Sequence, residues 1–592
     1  MGLALRIGLS ASLLACSCGD DAHSPGGPAP FKPDVECPGP ACPDTGDTSL
    51  LVGYARASIN PTAANMTVDP FAAFANWIDS NCNDTWNPGE TGDELRPVGA
   101  WMAGYGSGRP AVGIHDDDGL DVRAIVIRTH GLTIALAELD LVGYFYDEIQ
   151  RIRDLVRQSG DRIDLVLVGS THVHEGPDSV GIWGRDDGHS GIDPKYDDFL
   201  NHAVAQTIHD ALGRLEPATV TIGSARTEDA GGDMKPYVAD TRDPVIIDNT
   251  LTVLRFDRLD GTPLTALVNW SSHPEIEGGN NHLISADYVN YLRQGLERGF
   301  VRLGTTYPPL APDVLFMQGE VGGLLTGLHT HPIGDDGQPV ALCHQPQHPP
   351  AAGCPDGSGG THPVTPDDCF AGARAQGHGV AAFAHKALAQ GAVTVAQLQP
   401  AWRSKSFRIY VDNVRYQVAF LAGLFMDTRA LNNWDRTRPI DRDNTPQVDS
   451  EVTYLRLGPV SLVTVPGELF PELFVGGYHG EHSGSYQIIQ ANNTNPPNLA
   501  KAPPPPYVCD LMEGDFRMAF GLTDDFLGYI VPDYDFELGS TPYVTEAPGD
   551  HYEETNSVGD RGEPAIIDTL RKLVTYGRPG SPEMLATPCP GR

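Results

Sequence analysis

Two spacings of apolar residues recur along this chain. Residues 124–129, 132–141, 163–168, 218–222, 251–256, 264–270 and 314–317 are short runs, continuous or alternating, rich in Ile, Val and Leu. That pattern predicts strands buried on one or both faces. Residues 145–158, 197–215 and 288–299 instead return to apolar side chains every three or four positions, which predicts amphipathic helices. Strands alternating with helices favour an α/β fold in which mixed sheets are layered with helices. No second linker and no internal repeat interrupts residues 49–592, so they read as a single large domain.

Three stretches lack either spacing. Residues 17–48 are rich in Pro, Gly and Asp and read as a tether. Residues 326–368 gather His, Pro, Gly and Asp with Cys343, Cys354 and Cys369, and are expected to form a disulfide-pinned loop. Residues 495–507 end in Pro503-Pro504-Pro505-Pro506, which favours extended backbone and excludes a central strand. A surface loop is the default for these last two, and a lid over a site is the alternative.

Charge and export signals narrow the setting. A net charge of −37 over 592 residues excludes nucleic acid and anionic headgroups as main partners. Near the N-terminus Arg6 precedes a short apolar stretch ending in Leu13-Leu14-Ala15-Cys16. This has the form of a bacterial lipobox, so residues 1–16 are expected to be a signal peptide with Cys16 lipidated. The expected location is the cell envelope, on its periplasmic or surface face, with the membrane reached through an N-terminal lipid anchor. Plain secretion is the alternative. No stretch has the roughly 18 consecutive apolar residues that a spanning helix needs. Export makes Cys37, Cys42, Cys82, Cys509 and Cys589 disulfide candidates as well, and the absence of any Cys-x-x-Cys argues against a zinc ribbon.

The candidate chemistry follows strand ends. Gly169-Ser170-Thr171-His172-Val173-His174-Glu175-Gly176-Pro177 comes directly after the 163–168 run, and two imidazoles at i and i+2 on a strand point to one side. His273 follows the 264–270 run, and Glu468 follows 460–465. Loops at the ends of one sheet converge, and two histidines with a carboxylate suit zinc with a position left open for water. Glu175 and Glu320 are candidate general bases, each weighed against an ordinary supporting acid. Asp140 is a candidate to orient a ligand histidine, with a helix cap as the alternative. His329 and His331 read as loop histidines. A second metal is suggested by Asp79, Asn81, Asn83 and Glu90, spaced like a calcium-binding loop, although Asp84 replaces its glycine and Pro88 interrupts the exit helix. A plain acidic loop is the equal alternative.

These motifs, taken in order, resemble the neutral ceramidase family. Its His-Thr-His-Ser-Gly-Pro is similar to the segment from His172 to Pro177, and its Asn-Trp-Phe-x-x-His-Pro to the segment from Asn269 to Pro274. Its Pro-Gly-Glu resembles Pro466-Gly467-Glu468, and its tyrosine pair resembles Tyr529 and Tyr552. The resemblance implies one zinc ion per chain, held by His172, His273, Glu468 and Tyr529, with His174 and Tyr552 facing the scissile carbonyl. It implies a catalytic domain over residues 49–592 without the family's C-terminal β-sandwich, and a hydrolase cutting the amide bond of ceramide or a related N-acyl lipid. The alternatives are a metal-dependent hydrolase of another bond, such as a lipid or carbohydrate ester, and a binding lipoprotein with a degenerate site. The chain departs from the family where Gly-Asp-Val-Ser-Pro-Asn aligns with residues 322–327, losing the Asp and the Ser. The family's substrate-side arginine has no clear counterpart in residues 229–242, where Lys235 and Arg242 are the candidate cations.

Overall fold

The computed structural model describes residues 30–72, 99–115, 119–228, 235–323, 325–340, 354–355, 361–362, 370–426, 428–435, 437–441, 443–482, 486–580 and 586–589. The Cys16 lipobox, the calcium-like loop with Asp79, Asn81, Asn83 and Glu90, and Cys82, Cys343 and Cys369 lie outside the described residues. The chain divides into two units, Met1–Lys32 and Pro33–Arg592, and the elements below belong to the second.

Each element expected from the apolar spacing forms. The strands are Asp121–Thr129, Leu132–Leu139, Leu165–Ser170, Glu216–Arg226, Thr250–Arg258, Pro263–Trp270 and Val314–Gln318, and the helices Tyr146–Gln158, Pro194–Leu212 and Asp287–Arg298. With Leu51–Ser58 and Val393–Val395 the strands make a nine-stranded sheet. Its path runs 314–318, 263–270, 250–258, 216–226, 51–58, 121–129, 132–139, 165–170, with 393–395 paired to 216–226. Only the outermost pair at each end of this path is parallel. Strand twist coils the sheet until its two ends approach. There the backbone N–H of Gln318 donates to Glu138 Oε1 at 3.2 Å, and its side-chain amide donates to the Thr171 carbonyl at 2.8 Å.

Local chemistry sets the helix ends. Asp193 caps Pro194–Leu212 by accepting from the N–H groups of Lys195 and Tyr196 at 3.0 and 3.1 Å, and Pro194 occupies the first turn, where its missing N–H costs nothing. Leu200, Val204, Ile208 and Ala211 then form the buried stripe of that helix. Together with Tyr146–Gln158 it covers Val122, Ala135 and Val166 on the outer sheet face. Helices Asp287–Arg298 and Ala371–Ala389 cover Val253, Val268 and Phe316.

The inner face meets a second sheet, of which the apolar spacing anticipated only the run at 460–465. Its five strands are Val35–Cys37, Pro400–Tyr410, Gln447–Leu457, Val460–Thr464 and Phe516–Phe520. Trp402, Leu455, Leu462 and Met518 pack against Ile125, Leu136, Leu167 and Met317 of the larger sheet. Full burial of such side chains contributes about 1.5–3 kcal/mol each. Strand Pro400–Tyr410 was hidden because Arg403, Lys405 and Arg408 interrupt its apolar rhythm, paired with Glu36, Asp34 and Asp449. The later part of the expected tether is built into this sheet. Val35–Cys37 pairs antiparallel with residues 402–404, and Cys37 is disulfide-bonded to Cys42. A second disulfide joins Cys509 to Cys589.

Candidate metal and catalytic site

The motif segments meet where the two sheets face each other. Strand Leu165–Ser170 stops two residues short of His172, so the shared direction of His172 and His174 comes from the loop and not from a pleat. His172 adopts a left-handed φ of 69°, and its N–H donates to the Leu141 carbonyl at 2.9 Å. The N–H of His174 donates to the Pro274 carbonyl at 3.2 Å, which ties this loop to the one carrying His273. The expected convergence within one sheet is replaced by convergence between two: Glu468 comes from the second sheet's side, past Val460–Thr464, and pairs in parallel with Tyr529.

The geometry of the imidazoles fixes their chemistry. His172 Nδ1 donates to the Val142 carbonyl at 2.6 Å and His273 Nδ1 to the Leu325 carbonyl at 2.9 Å. A carbonyl only accepts, so each ring carries a proton on Nδ1, and Nε2, the lone-pair nitrogen of the neutral ring, faces inward. Those Nε2 atoms stand 3.4 and 3.3 Å from Glu468 Oε2. His174 Nε2 lies 3.4 Å from His172 Nε2, and one ligand atom from each of the three histidines lies within 4.8 Å of the others. Metal bonds of about 2.0–2.2 Å in tetrahedral geometry separate ligand atoms by roughly 3.3–3.6 Å. The donor set therefore fits a divalent ion, because facing lone pairs at this spacing repel unless a cation lies between them. Burial alone would raise the Glu468 carboxyl, but the charge and hydrogen bonds of His172 and His273, when these rings are protonated, bring it down to about 2. Burial, with His172 and His273 adding to it, pushes His174 well below the usual imidazole range.

A cleft of about 920 Å³ opens onto this cluster, lined among others by His174, Glu275, Tyr529 and Tyr552. Tyr529 and Tyr552 are both held above the ordinary phenol range, first by burial and then by the charge of Glu468. Their rings lie 6.0 Å apart, edge to face.

The other candidates are placed elsewhere. Glu175 is fully buried 3.9 Å from Arg109 and does not line the cleft; burial, with Asp287 adding, raises its carboxyl well above the usual range. Glu320 does not line the cleft either. It accepts from Ser271 Oγ at 2.7 Å while its own N–H donates back at 3.0 Å, so it clips the His273 loop in place. Burial, with Asp248 adding, pushes its carboxyl up to about 8. Asp140 forms a bidentate pair with Arg293 at 2.9 and 2.7 Å in place of orienting a histidine. Arg242 is buried against Glu553, Glu554 and Asp535, so its charge is spent inside the protein.

Sequence reasoning missed Glu275 and Gln318. Glu275 Oε2 lies 3.4 Å from His174 Nδ1, at ion-pair distance without hydrogen-bond geometry, and 3.4 Å from the Tyr105 hydroxyl that donates toward it. Its signal was its place two residues after His273. Gln318 donates to the carbonyls of Thr171 and Ser272, each one residue before a site histidine, at 2.8 and 2.9 Å. Nothing in the linear order marks it.

No protein-family model matches this chain. It is 26% identical over 208 residues to neutral ceramidase A of Dictyostelium discoideum, covering 32% of this chain and 28% of that protein. It is also 26% identical over 140 residues to neutral ceramidase B of the same organism, covering 22% of this chain and 19% of that protein. The matched region thus spans less than a third of either relative's length. In structure it resembles the crystal structure of neutral ceramidase from Pseudomonas aeruginosa, with a TM-score of 0.54, 15% identity and coverage of 92% of this chain and 76% of that one. A ceramidase complexed with C2 matches with a TM-score of 0.50 and 14% identity, over 89% of this chain and 75% of that one.

Proposed function

As a member of the neutral ceramidase family, this chain is, we propose, a zinc-dependent amidohydrolase that cleaves the N-acyl amide bond of ceramide or a related N-acyl lipid. One observation carries the reading. The Nε2 atoms of His172 and His273 stand 3.4 and 3.3 Å from one carboxylate oxygen of Glu468, beside a cleft large enough for a lipid amide. His172, His273 and Glu468 would hold the ion, with His174 and Tyr529 next to them. A zinc ion bound there would polarise the amide carbonyl and lower the pKa of a water to about 7.

The chain's own groups supply the remaining steps. Tyr552, kept protonated by burial, donates its hydroxyl hydrogen to the carbonyl oxygen as charge develops, worth roughly 3–4 kcal/mol for such a donor. Glu275 lines the cleft and takes the proton released when water adds to the carbonyl carbon. It returns that proton to the nitrogen as the C–N bond breaks, giving a fatty acid and a free amine. Gln318 and Glu320 hold the two histidine loops in register throughout.

The test is fatty-acid release by purified protein from ceramide, from simpler acyl amides and from matched esters, with bound metal quantified. Amide cleavage that disappears with chelator and in His172→Ala supports the reading. Stoichiometric metal with ester turnover alone would replace it with an esterase, and absence of both metal and turnover would leave a binding protein.

A further inference from the structure

Helix Val414–Ala422 turns apolar side chains outward. Val414, Val418 and Leu421 stand at i, i+4 and i+7, hence on one face, and are 40%, 56% and 57% exposed. Gln417 is turned inward instead, 8% exposed, and its side-chain amide donates to the Val411 carbonyl at 2.8 Å. Ala419 and Phe420 pack beside it against Phe425 and Phe526. A helix lying on a protein core ordinarily keeps polar side chains for the solvent face. The only charged residue in this helix is Arg415.

The outward face borders the reaction cleft. A groove of about 330 Å³ runs along the helix, lined by Val414 and Val418 and, from a separate segment, by Val544. Arg415, Val544 and Asn556 line both this groove and the cleft of His174, Tyr529 and Tyr552. Val544 is itself 54% exposed, so apolar surface continues from the helix across the groove to the cleft wall.

Size and position identify what covers this face. Four half-exposed Val and Leu side chains leave on the order of 350 Å² of apolar surface open, a patch of the size that marks an interaction site on a monomer. A stable partner protein or second copy needs about 800 Å² on each side. Seated here, it would also close the cleft mouth framed by Arg415, Val544 and Asn556. A bilayer sets no such minimum, since binding there scales with the apolar area that enters the headgroup region. It also brings a lipid amide to that same mouth. A net charge of −37 favours zwitterionic headgroups over anionic ones.

We infer that the face of Val414, Val418 and Leu421, with Val544, docks this chain on a zwitterionic phospholipid bilayer and sets the cleft mouth against it, so that a lipid amide enters along the groove. This deepens, and rests on, the N-acyl lipid reading of the site.

Flotation with phosphatidylcholine vesicles tests it on the full chain carrying Cys16→Ser, which removes the expected lipid attachment. Leu421 lines neither the groove nor the cleft. Leu421→Asp is expected to weaken vesicle binding about tenfold, and Leu421→Met to leave it at the parent level. On ceramide held in vesicles, kcat/KM of the Leu421→Asp protein is expected to fall about tenfold, while on a water-soluble short-chain acyl amide it holds. Equal vesicle binding by parent and Leu421→Asp, or equal loss on both substrates, overturns the docking surface. A dimer in sedimentation velocity that Leu421→Asp dissociates gives the face to a second copy and overturns it too. If no amide is cleaved yet vesicle binding weakens in this way, the hydrolase reading fails and the docking surface stands. Absence of vesicle binding overturns the surface whatever the activity, and cleavage of the soluble amide in that case leaves the hydrolase reading intact.

Discussion

The side-chain amide of Gln318 donates to the carbonyl of Thr171 at 2.8 Å, and through that bond one edge strand of the larger sheet fixes the loop of the other edge. The same nitrogen reaches the Ser272 carbonyl at 2.9 Å. Replacing it, Gln318→Leu, leaves the buried Thr171 carbonyl without its donor, at a cost of about 1–3 kcal/mol, while the Ser272 carbonyl keeps the Tyr288 hydroxyl at 2.9 Å. Because a displacement near 1 Å costs about 10²-fold in rate, activity is expected to fall at least tenfold at temperatures where the variant stays folded. Unchanged kcat in a folded variant would remove Gln318 from the positioning role.

Removing a donor should release the metal before it unfolds the protein. His273→Ala deletes an Nε2 that stands 3.3 Å from Glu468 Oε2, and Glu468→Gln removes the negative charge. Both variants are expected to purify with well under one equivalent of zinc by elemental analysis and with no measurable amide turnover. Full metal content in either would place the ion elsewhere.

Gly104 supports His174 by having no side chain. It has a φ of +99°, and a Cβ there would lie 2.4 Å from His174 Cγ. Gly104→Ala is expected to push the ring aside and cost about 10²-fold in kcat, with far-ultraviolet circular dichroism unchanged. Wild-type activity in this variant would show that the ring tolerates displacement.

Arg242 holds the segment that carries Tyr552. Its guanidinium meets Glu553 at 2.7 Å, Glu554 at 2.9 Å and Asp535 at 3.1 Å, and it is 2% exposed. Arg242→Leu leaves several buried carboxylates without their cation, and the loss expected by denaturant unfolding is about 3–5 kcal/mol. A loss below about 1 kcal/mol would mean that the network is dispensable for folding.

Stability should decline from mildly acidic to mildly alkaline pH. Burial, the largest cause in each case, raises Asp287 to about 7 and Glu320 and Glu472 to about 8. Unfolded carboxyls titrate near 3.9–4.3, so between about pH 4 and 8 the folded form keeps protons that the unfolded chain has released. Fewer protons on the unfolded chain means that unfolding free energy falls as pH rises through that window. Thermal unfolding at pH 5, 6.5 and 8 should show a declining Tm, less steeply in Glu320→Gln. A Tm that rises across this range would contradict the assignment of buried protonated acids.

What could be read in the chain was local. Ile, Val and Leu runs gave the strands of the larger sheet because burial on a pleated surface selects such side chains wherever the strand is later placed. Strand Pro400–Tyr410 escaped because the ion-paired basic residues Arg403, Lys405 and Arg408 break the apolar rhythm. His172, His174, His273 and Glu468 were legible as candidates since each follows an apolar run within a few residues. Glu175 and Glu320 were equally legible as acids beside the motifs, yet backbone direction turned one toward Arg109 and the other onto Ser271.

The sequence by itself determined which residue types stand at the strand ends, and with them a donor set of imidazoles and a carboxylate. Tertiary structure alone decided which of them meet. Sheet coiling, the left-handed turn at His172 and the parallel pairing of Glu468 with Tyr529 bring together atoms that lie up to hundreds of residues apart. Spacing along a chain constrains only neighbours within a few residues, whereas a metal-sized gap is set by backbone hydrogen bonds and packing from both sheets at once.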